Sequence, residues 1–334
     1  MGERVFRDDL SEKEPVGLLS FPTGSLSGVE HMQPMRYHTL SDHYHSYFGR
    51  PIQKAVIDAG FTCPNLDGTV SVGGCIFCDG GSGHFTHPGT ITQQLEQERL
   101  RIHKTHPHAG LIAYFQAHTN TYGTPAYLRQ CYAEALAQPD VVGLAIGTRP
   151  DCLPEPVLDI LEEFSAKTHL TVELGLQTIH DKTAAIINRG YPYAVFLQAF
   201  RALRRRHIRI CVHLINGLPG EMDADMLESA RAVGQLRPDG VKLHLLHILK
   251  DTPLADLWRQ GKIQTLSQAE YVQITAGQLT LLPEETVIER LTGDGASEQL
   301  LAPLWSRNKS GVRNAIGQHL KQTDCWQGKY FSET

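Results

Sequence analysis

The chain has 334 residues, of which 41% are apolar and 20% charged, and its formal net charge is −5 at pH 7. This globular composition allows one large domain or two ordinary ones, and the negative charge excludes a protein that binds nucleic acid through overall charge. No apolar run approaches the roughly 20 residues that cross a bilayer, and the first residues lack the apolar core of a secretory signal. We therefore expect a cytoplasmic protein without a membrane partner, and its seven cysteines then argue against a disulfide framework.

The pattern along the chain changes near residue 35. Residues 1–34 are polar and punctuated by glycine, serine and proline, which predicts a mobile leader. Short apolar runs, each followed by a helical stretch, then recur through residue 250. Strands are predicted over 55–59, 110–116, 141–147, 170–177, 208–217 and 240–249, with helices over 91–105, 125–138, 154–168, 180–188, 193–206 and 223–236.

This alternation of six strand-then-helix units predicts an α/β fold. Because the strands are continuous apolar runs, they are expected to be parallel and buried on both faces. Either an open doubly wound sheet or an incomplete TIM-type barrel fits, and in both the chemistry lies at the carboxyl ends of the strands. Residues 251–334, with a short strand predicted over 286–291, are expected to form an extension that packs on the barrel.

A glycine-rich stretch after the first predicted strand holds three cysteines, in "GFTCPNLDGTVSVGGCIFCDGGSGHF" over residues 60–85. Cys63, Cys75 and Cys78 form a C-x11-C-x2-C pattern. Thiolates suit zinc or an iron–sulfur cluster, and the residues alone leave both open, since His84 or His87 could complete a zinc site.

The same stretch resembles the radical-SAM superfamily. The usual spacing there is C-x3-C-x2-C, and the longer first gap resembles a subgroup that includes the radical-SAM domain of the Elongator catalytic subunit and the small bacterial YhcC/YtqA-like family. The resemblance implies an incomplete (β/α)6 barrel in which Cys63, Cys75 and Cys78 hold a 4Fe–4S cluster. It also implies S-adenosylmethionine (SAM) bound to that cluster, its reductive cleavage to a 5′-deoxyadenosyl radical that abstracts hydrogen from substrate, and a reductant such as flavodoxin or ferredoxin.

Cofactor contacts are expected near the first two strands, one by this resemblance and others in place of a family motif that the chain lacks. Phe77 matches an aromatic position that packs near the SAM adenine, and its alternative role is in the core. The Gly-Gly-Glu motif that often grips the SAM amino group is absent after the second strand. Gln116, Thr119 and Asn120 could supply side-chain oxygens in its place, and loop capping is the alternative for the threonine and the asparagine.

Three further cofactor contacts are expected at later strand ends. Glu173 lies inside an apolar strand, so we expect a polar contact in the site or an ion pair with Arg149 or Arg189. Arg189 resembles an arginine that contacts the SAM carboxylate, with a surface position as the alternative. Gly217 resembles a glycine whose backbone lies along the adenine, and no residue is assigned a catalytic role.

Two basic segments suggest RNA as the substrate. Residues 201–209 contain five arginines, and the last 34 residues mix basic and aromatic side chains. The Elongator resemblance implies a modified wobble uridine of tRNA, so tRNA is the expected partner. Radical chemistry on a small metabolite and a zinc-bearing binding protein without enzyme activity are the alternatives.

Overall fold

A computed structural model of the protein describes residues 35–79, 86–293 and 298–333. The predicted leader, residues 1–34, lies outside the described residues, and so does His84. Among the described residues, no helix combines the length and the apolar character needed to cross a membrane.

Seven parallel strands form one sheet that curls into a half-barrel, in chain order except that the eighth strand of the chain lies beside the sixth. The incomplete barrel expected from the sequence is therefore confirmed, and the short strand predicted over 286–291 is its seventh strand. The strands are β1 Ile52–Ile57, β2 Gly110–Phe115, β3 Val141–Thr148, β4 His169–Gln177, β5 Arg209–Asn216, β6 Gly240–Leu245, β7 Ile248–Leu249, β8 Val287–Arg290 and β9 Leu300–Ala302.

Helices cover the outer face of the sheet, and their apolar sides bury the main hydrophobic core against it. Thr90 accepts the N–H of Gln93 and the Gln93 side chain caps in return, which fixes the start of the second helix. The helices are α1 Leu40–Phe48, α2 Ile91–His103, α3 Pro125–Leu136, α4 Glu155–Ser165, α5 Asp181–Ile186, α6 Tyr193–Arg205, α7 Asp223–Leu236, α8 Pro253–Arg259, α9 Gln268–Thr280 and α10 Lys309–Gln322, with 3-10 turns at Pro150–Cys152 and Leu304–Arg307.

The sixth strand is shorter than the sequence predicted. The apolar run over 240–249 is two strands, because the chain leaves the sheet after Leu245, where the Leu246 N–H donates to the Asn216 carbonyl at 2.9 Å. Ile248 and Leu249 then pair antiparallel with β9. Apolar periodicity continues through both strands, so it could not mark the break.

The first and last strands of the sheet, β1 and β8, lie at its two edges. Helix α1 contacts both, and the Ile288 N–H donates to the His38 carbonyl at 2.8 Å. Inside the half-barrel, Lys54 Nζ of β1 lies 2.7 Å from the Glu289 carboxylate of β8. One ion pair therefore joins the two edges across the interior.

Candidate active site at the carboxyl edge of the sheet

Cys63, Cys75 and Cys78 lie on the loop that follows β1 and line one cavity of about 360 Å3. The Cys78 N–H donates to the Cys75 carbonyl at 2.9 Å, which forms a tight turn between the last two cysteines. The three residues predicted as metal ligands are thus brought together at the end of the sheet where parallel α/β folds place their chemistry.

Two asparagines fix this cysteine loop. Asn65 is fully buried, and its amide donates to the Asn188 carbonyl at 2.6 Å and to Cys75 Sγ at 3.7 Å. Asn188 in turn donates to the Gly74 carbonyl at 2.7 Å. An amide directed at a ligand sulfur orients it and stabilises its negative charge, so Asn65 both anchors the loop and supports Cys75.

The loop is also attached through its backbone. The Ile76 N–H donates to the Ile187 carbonyl at 3.1 Å, and the Ile76 carbonyl accepts the Leu254 N–H at 2.9 Å. The loop is therefore held between the end of α5 and the start of α8, and the positions of the cysteines depend on both.

The cysteines fit a cluster better than a closed zinc site. Among the described residues, only His180, Asp225 and Glu228 bring three ligand atoms within 4.8 Å of one another. Four ligands around one zinc ion with Zn–S of about 2.3 Å would place their sulfurs about 3.8 Å apart. In a cluster each cysteine binds a different iron, so the three sulfurs need not all lie within 4.8 Å of one another, and here they do not.

The electrostatics of Cys75 also favour a bound metal centre. Burial, and then the neighbouring Cys78, raises the pKa of the Cys75 thiol to about 12, while Arg149 acts in the opposite direction. The free thiol is therefore protonated at neutral pH, and a coordinated cation is what would hold it as the thiolate.

Four of the predicted cofactor contacts, Phe77, Gln116, Glu173 and Arg189, lie on the wall of the cysteine cavity. Phe77 packs at the margin of an apolar cluster that contains Leu218 and Leu246. Its position suits both of the roles predicted for it, because one side contacts the core and the other contacts the cavity.

Asn120 and Gly217 are not among the residues that line the described cavity. Asn120 is buried and donates to the carbonyls of Phe115 at 3.0 Å and Gly147 at 2.9 Å. These bonds are those that the loop-capping alternative predicts. Gly217 has φ +85°, and a Cβ there would lie 3.2 Å from Leu266. Both residues shape the strand ends, and their contact with SAM stays a prediction.

Arg189 is 1% exposed, so the surface alternative is wrong. Its guanidinium donates to the carbonyls of Leu176 at 2.5 Å, Thr178 at 2.6 Å and Tyr191 at 3.0 Å. These bonds tie the end of β4 to the following loop. A contact with the SAM carboxylate stays a prediction, since the backbone already takes most of the donors.

Glu173 forms an ion pair as expected, but neither Arg149 nor Arg189 is its partner. Arg149 binds Asp151 in a bidentate pair, with N–O distances of 2.9 and 2.7 Å. The Glu173 carboxylate instead accepts Lys54 at 2.7 Å, His213 at 3.0 Å and Lys242. Its inward position on β4 faces strands on both sides of the half-barrel, whereas the arginines lie beyond the strand ends.

Burial and the charges of the neighbouring groups shift the pKa values of Glu173 and of its partners. Burial alone would raise the pKa of Glu173, but Lys242 and Lys54 outweigh it and hold that pKa well below its usual range. Burial would likewise lower the pKa of Lys54, but Glu173 and Glu289 raise it. For Lys242 and His213 burial prevails, so the pKa of each is lowered. The Glu173 carboxylate is thus ionised and His213 is neutral at neutral pH.

Sequence reasoning missed Lys54, because the first strand was predicted to begin at Ala55. A charged residue inside an apolar strand was the signal that identified Glu173, and the same signal in "IQKAVI" could have identified Lys54. Asn65 and Asn188 had no such signal, because asparagines are common in loops for reasons of turn geometry alone.

Two buried polar atoms on the cavity wall, Gln177 Oε1 and His244 Nε2, have no hydrogen-bond partner in the part of the chain that the structure describes. Buried polar atoms are nearly always paired in folded proteins. Their position beside the cysteines fits a cavity that receives a polar ligand such as SAM.

A second, larger cavity of about 1050 Å3, here named the lateral cavity, opens on the other side of the Glu173 cluster. Helix α1 and strand β1 form much of its wall, and Lys242 lies on it. Tyr114, Gln116 and Arg290 line both cavities. The two spaces therefore meet at these three side chains.

Comparison with known proteins assigns the family. The profile of the Radical SAM superfamily matches residues 71–233, and that of the Radical_SAM C-terminal domain matches residues 238–322. The chain is 45% identical to the protein YtqA of Bacillus subtilis over 89% of this chain and 93% of that protein. It is 38% identical to the protein YhcC of Escherichia coli over 78% of this chain and 85% of that protein.

The chain belongs to the YhcC/YtqA-like family of the radical-SAM superfamily. It is also 27% identical to human Elongator complex protein 3 over 46% of this chain and 28% of that protein. The fold is similar to that of the archaeal Methanocaldococcus infernus Elp3, with a TM-score of 0.64 at 17% identity over 83% of this chain. The similar part spans 65% of that archaeal chain.

This radical-SAM protein is an enzyme that binds a 4Fe–4S cluster and SAM, which excludes the zinc-bearing alternative. When bound, the cluster and SAM supply reductive cleavage of SAM, with the electron coming from an external reductant. Cys63, Cys75 and Cys78 would hold the cluster, and the remaining walls of the 360 Å3 cavity would surround SAM and exclude water.

Proposed function

We propose that this radical-SAM enzyme abstracts hydrogen from the side chain of a modified wobble uridine in tRNA. The similarity to Elongator complex protein 3 in sequence, and to the archaeal Elp3 in fold, carries the proposal. The long first gap of the cysteine pattern, which resembles that of the Elongator catalytic subunit, also supports a tRNA substrate. Flavodoxin or ferredoxin is the proposed electron donor.

The lateral cavity supports a substrate of nucleotide size. Sites for small molecules generally measure about 300–1000 Å3, and the lateral cavity of about 1050 Å3 reaches the upper end of that range. It adjoins the cysteine cavity at Tyr114 and Gln116, so a base placed in it would approach the SAM site.

The arginine-rich segment over 201–209 does not support RNA binding at this site. Arg206 pairs with Glu155, Asp159 and Glu162, and Arg204 and Arg209 both lie within 4.0 Å of Asp239. The segment precedes β5 and therefore lies at the amino edge of the sheet, opposite the cysteines.

The second basic segment, within the last 34 residues, has an exposed aromatic surface on which bases could stack. Trp326 and Tyr330 are 40% and 60% exposed, and Lys329 Nζ lies 4.7 Å and 5.7 Å from their ring centroids. Aromatic rings flanked by a cation suit base stacking and phosphate contact. This surface is the proposed secondary contact with tRNA.

The proposal is tested by comparing nucleosides in tRNA from strains with and without the gene, together with anaerobic assays of the purified enzyme. We expect one modified uridine to be replaced by its precursor in the deletion strain. That tRNA should then stimulate the formation of 5′-deoxyadenosine by the enzyme with SAM and dithionite.

Identical nucleosides in the two strains would contradict the tRNA proposal. If 5′-deoxyadenosine formed only after a metabolite extract was added, the small-metabolite alternative would replace it. The radical-SAM assignment would stand in both cases, because it rests on the family and the cysteine site.

A further inference from the structure

The interior layer between the two cavities is charged, which is unusual for a barrel core. Barrel interiors are normally filled by branched apolar side chains. Here Lys54, Glu173 and Lys242 meet in one cluster with less than a fifth of each side chain exposed. Apolar residues of similar volume would stabilise the fold equally well or better, so stability alone does not explain the cluster.

Lys242 has an unused donor within this cluster. Its side chain is 2% exposed, and its ammonium contacts the Glu173 carboxylate and the Tyr114 hydroxyl oxygen, the latter at 3.2 Å. An ammonium has three N–H donors, and within the described ranges of the chain Lys242 has no third partner. A buried donor without a partner is a costly arrangement unless a ligand completes it.

The location of Lys242 indicates which ligand this is. Lys242 lines the lateral cavity and is not among the residues that line the cysteine cavity. The Tyr114 hydroxyl accepts from Lys242 and also faces the Glu173 carboxylate, and Tyr114 lines both spaces. Lys242 and Tyr114 thus meet where a substrate in the lateral cavity would come nearest to SAM.

Lys54 differs from Lys242 although both contact Glu173. Lys54 Nζ lies 2.7 Å from Glu173 and 2.7 Å from Glu289, so two carboxylates balance its charge. Both lysines line the lateral cavity, but the two carboxylates occupy Lys54, which holds the Glu173 carboxylate in place and joins the sheet edges, while Lys242 keeps a donor for a ligand there.

We propose that Lys242 and Tyr114 bind an oxygen acceptor of the substrate in the lateral cavity, and that Glu173 and Lys54 position Lys242 for this contact. The oxygen would belong to a carbonyl or a comparable acceptor next to the carbon that loses hydrogen. This inference rests on the proposed function in taking tRNA as the substrate to be assayed.

The test compares Lys242→Met, Tyr114→Phe and Lys54→Met with the wild-type enzyme, using tRNA from a strain that lacks the gene. Lys242→Met keeps the length of the side chain and removes its donors, while Glu173 retains Lys54 and His213. We expect Lys242→Met to raise KM for this tRNA at least tenfold, with bound iron retained, and Tyr114→Phe to raise it less. Lys54→Met should lower Tm while raising KM less than Lys242→Met does.

A KM in Lys242→Met equal to that of the wild type would overturn the inference. If the tRNA does not stimulate the wild-type enzyme, the proposed function fails, and a crystal structure of the protein loaded with cluster and SAM decides the inference. An N–H of Lys242 directed into the lateral cavity would support it. Contact of that N–H with SAM, or with another residue of the chain, would overturn it.

Discussion

At the scale of single residues, the cysteine site depends on three sulfurs of one loop, and burial raises the pKa of one of them, Cys75, to about 12. Replacing Cys78 by Ala removes one ligand and leaves the other two unable to hold a cluster. We expect bound iron and the visible absorption of the cluster to fall to background in Cys78→Ala. Iron analysis after anaerobic reconstitution measures this.

The matched control for Cys78→Ala is Cys325→Ala, because Cys325 is also partly exposed but lies after α10, outside the cysteine cavity. Its iron content should equal that of the wild type. Full iron in Cys78→Ala, or an equal loss in both variants, would contradict the assignment of the ligands.

Residues whose chemistry is visible locally could be predicted from the sequence, whereas their partners could not. Spacing identified the three cysteines, and a charge inside an apolar strand identified Glu173. The partners of Glu173 are 119 and 69 residues away at Lys54 and Lys242, and no local pattern encodes such a pairing. Arg149 and Arg189, the expected partners, are nearer to Glu173 in sequence. They lie beyond the strand ends, however, whereas Glu173 has an inward position on β4.

At the scale of elements, the cysteine loop fits closely against the loop that follows α5. Gly190 has φ +83°, and a Cβ there would lie 2.8 Å from Asn65 Oδ1 and 3.0 Å from Val70. We expect Gly190→Ala to destabilise the protein by at least about 2 kcal/mol and to reduce iron loading, because the left-handed backbone is strained and Asn65 must move. Chemical denaturation and iron analysis measure the two effects.

Gly261→Ala is the control, because it introduces the strain of a left-handed backbone without the contact to Asn65. Gly261 also has a positive φ, +71°, but a Cβ there would meet nothing within 4 Å. Gly261→Ala should lower the free energy of unfolding by about 1 kcal/mol and leave iron loading unchanged. Equal iron loading in the two variants would show that the loop contact does not control the cluster site.

The attachment of α1 to the amino edge of the sheet should depend on pH. His43 Nε2 lies 3.4 Å from His169 Nε2, and burial followed by the charge of Arg209 lowers the pKa of each imidazole to about 4. The unfolded chain binds protons near pH 6.5 while the folded chain does not. The contribution of the two neutral imidazoles to the free energy of unfolding should therefore be fully present above pH 6.5 and should decrease as the pH falls toward 4.

Removing one imidazole tests this. We expect the decrease of Tm between pH 7 and pH 4.5 to be smaller in His169→Leu than in the wild type, by roughly half if both imidazoles contribute equally. His108→Leu, on the exposed loop before β2, should keep the wild-type slope. Parallel curves for all three proteins would exclude the histidine pair as the cause.

The order and type of the main elements followed from apolar periodicity, and the helix predicted over 91–105 is observed as Ile91–His103. The boundary within 240–249 did not, because both β6 and β7 are apolar and the break depends on a hydrogen bond to Asn216 in another strand. Likewise, the short run in β8 gave no sign that it would complete the sheet beside β6.

At the scale of the whole molecule, the described fold begins at Met35, which also marks the start of a compact unit. We expect a chain that starts at Met35 to fold with the Tm of the full protein and to bind the same amount of iron. Thermal unfolding and iron analysis of the two proteins, prepared in parallel, measure this. A lower Tm or less iron in the shorter chain would show that residues 1–34 contribute to the fold.

The division at residue 250 stays a prediction, although the seventh strand of the sheet lies beyond it. β8 pairs in parallel with β6, so the later part of the chain completes the same sheet that carries the cysteine loop. The architecture was predictable because it repeats, but the way in which the sheet ends was not, because it depends on a single short strand.

The ion pair between Lys54 and Glu289 has a consequence for synthesis on the ribosome. Lys54 emerges early, but its two carboxylate partners follow 119 and 235 residues later. Until Glu289 has left the exit tunnel, the interior cannot close without burying an incompletely balanced charge. The nascent half-barrel should therefore remain open on its β1 side until β8 has emerged from the ribosome, and a chaperone would find that edge accessible for the same period.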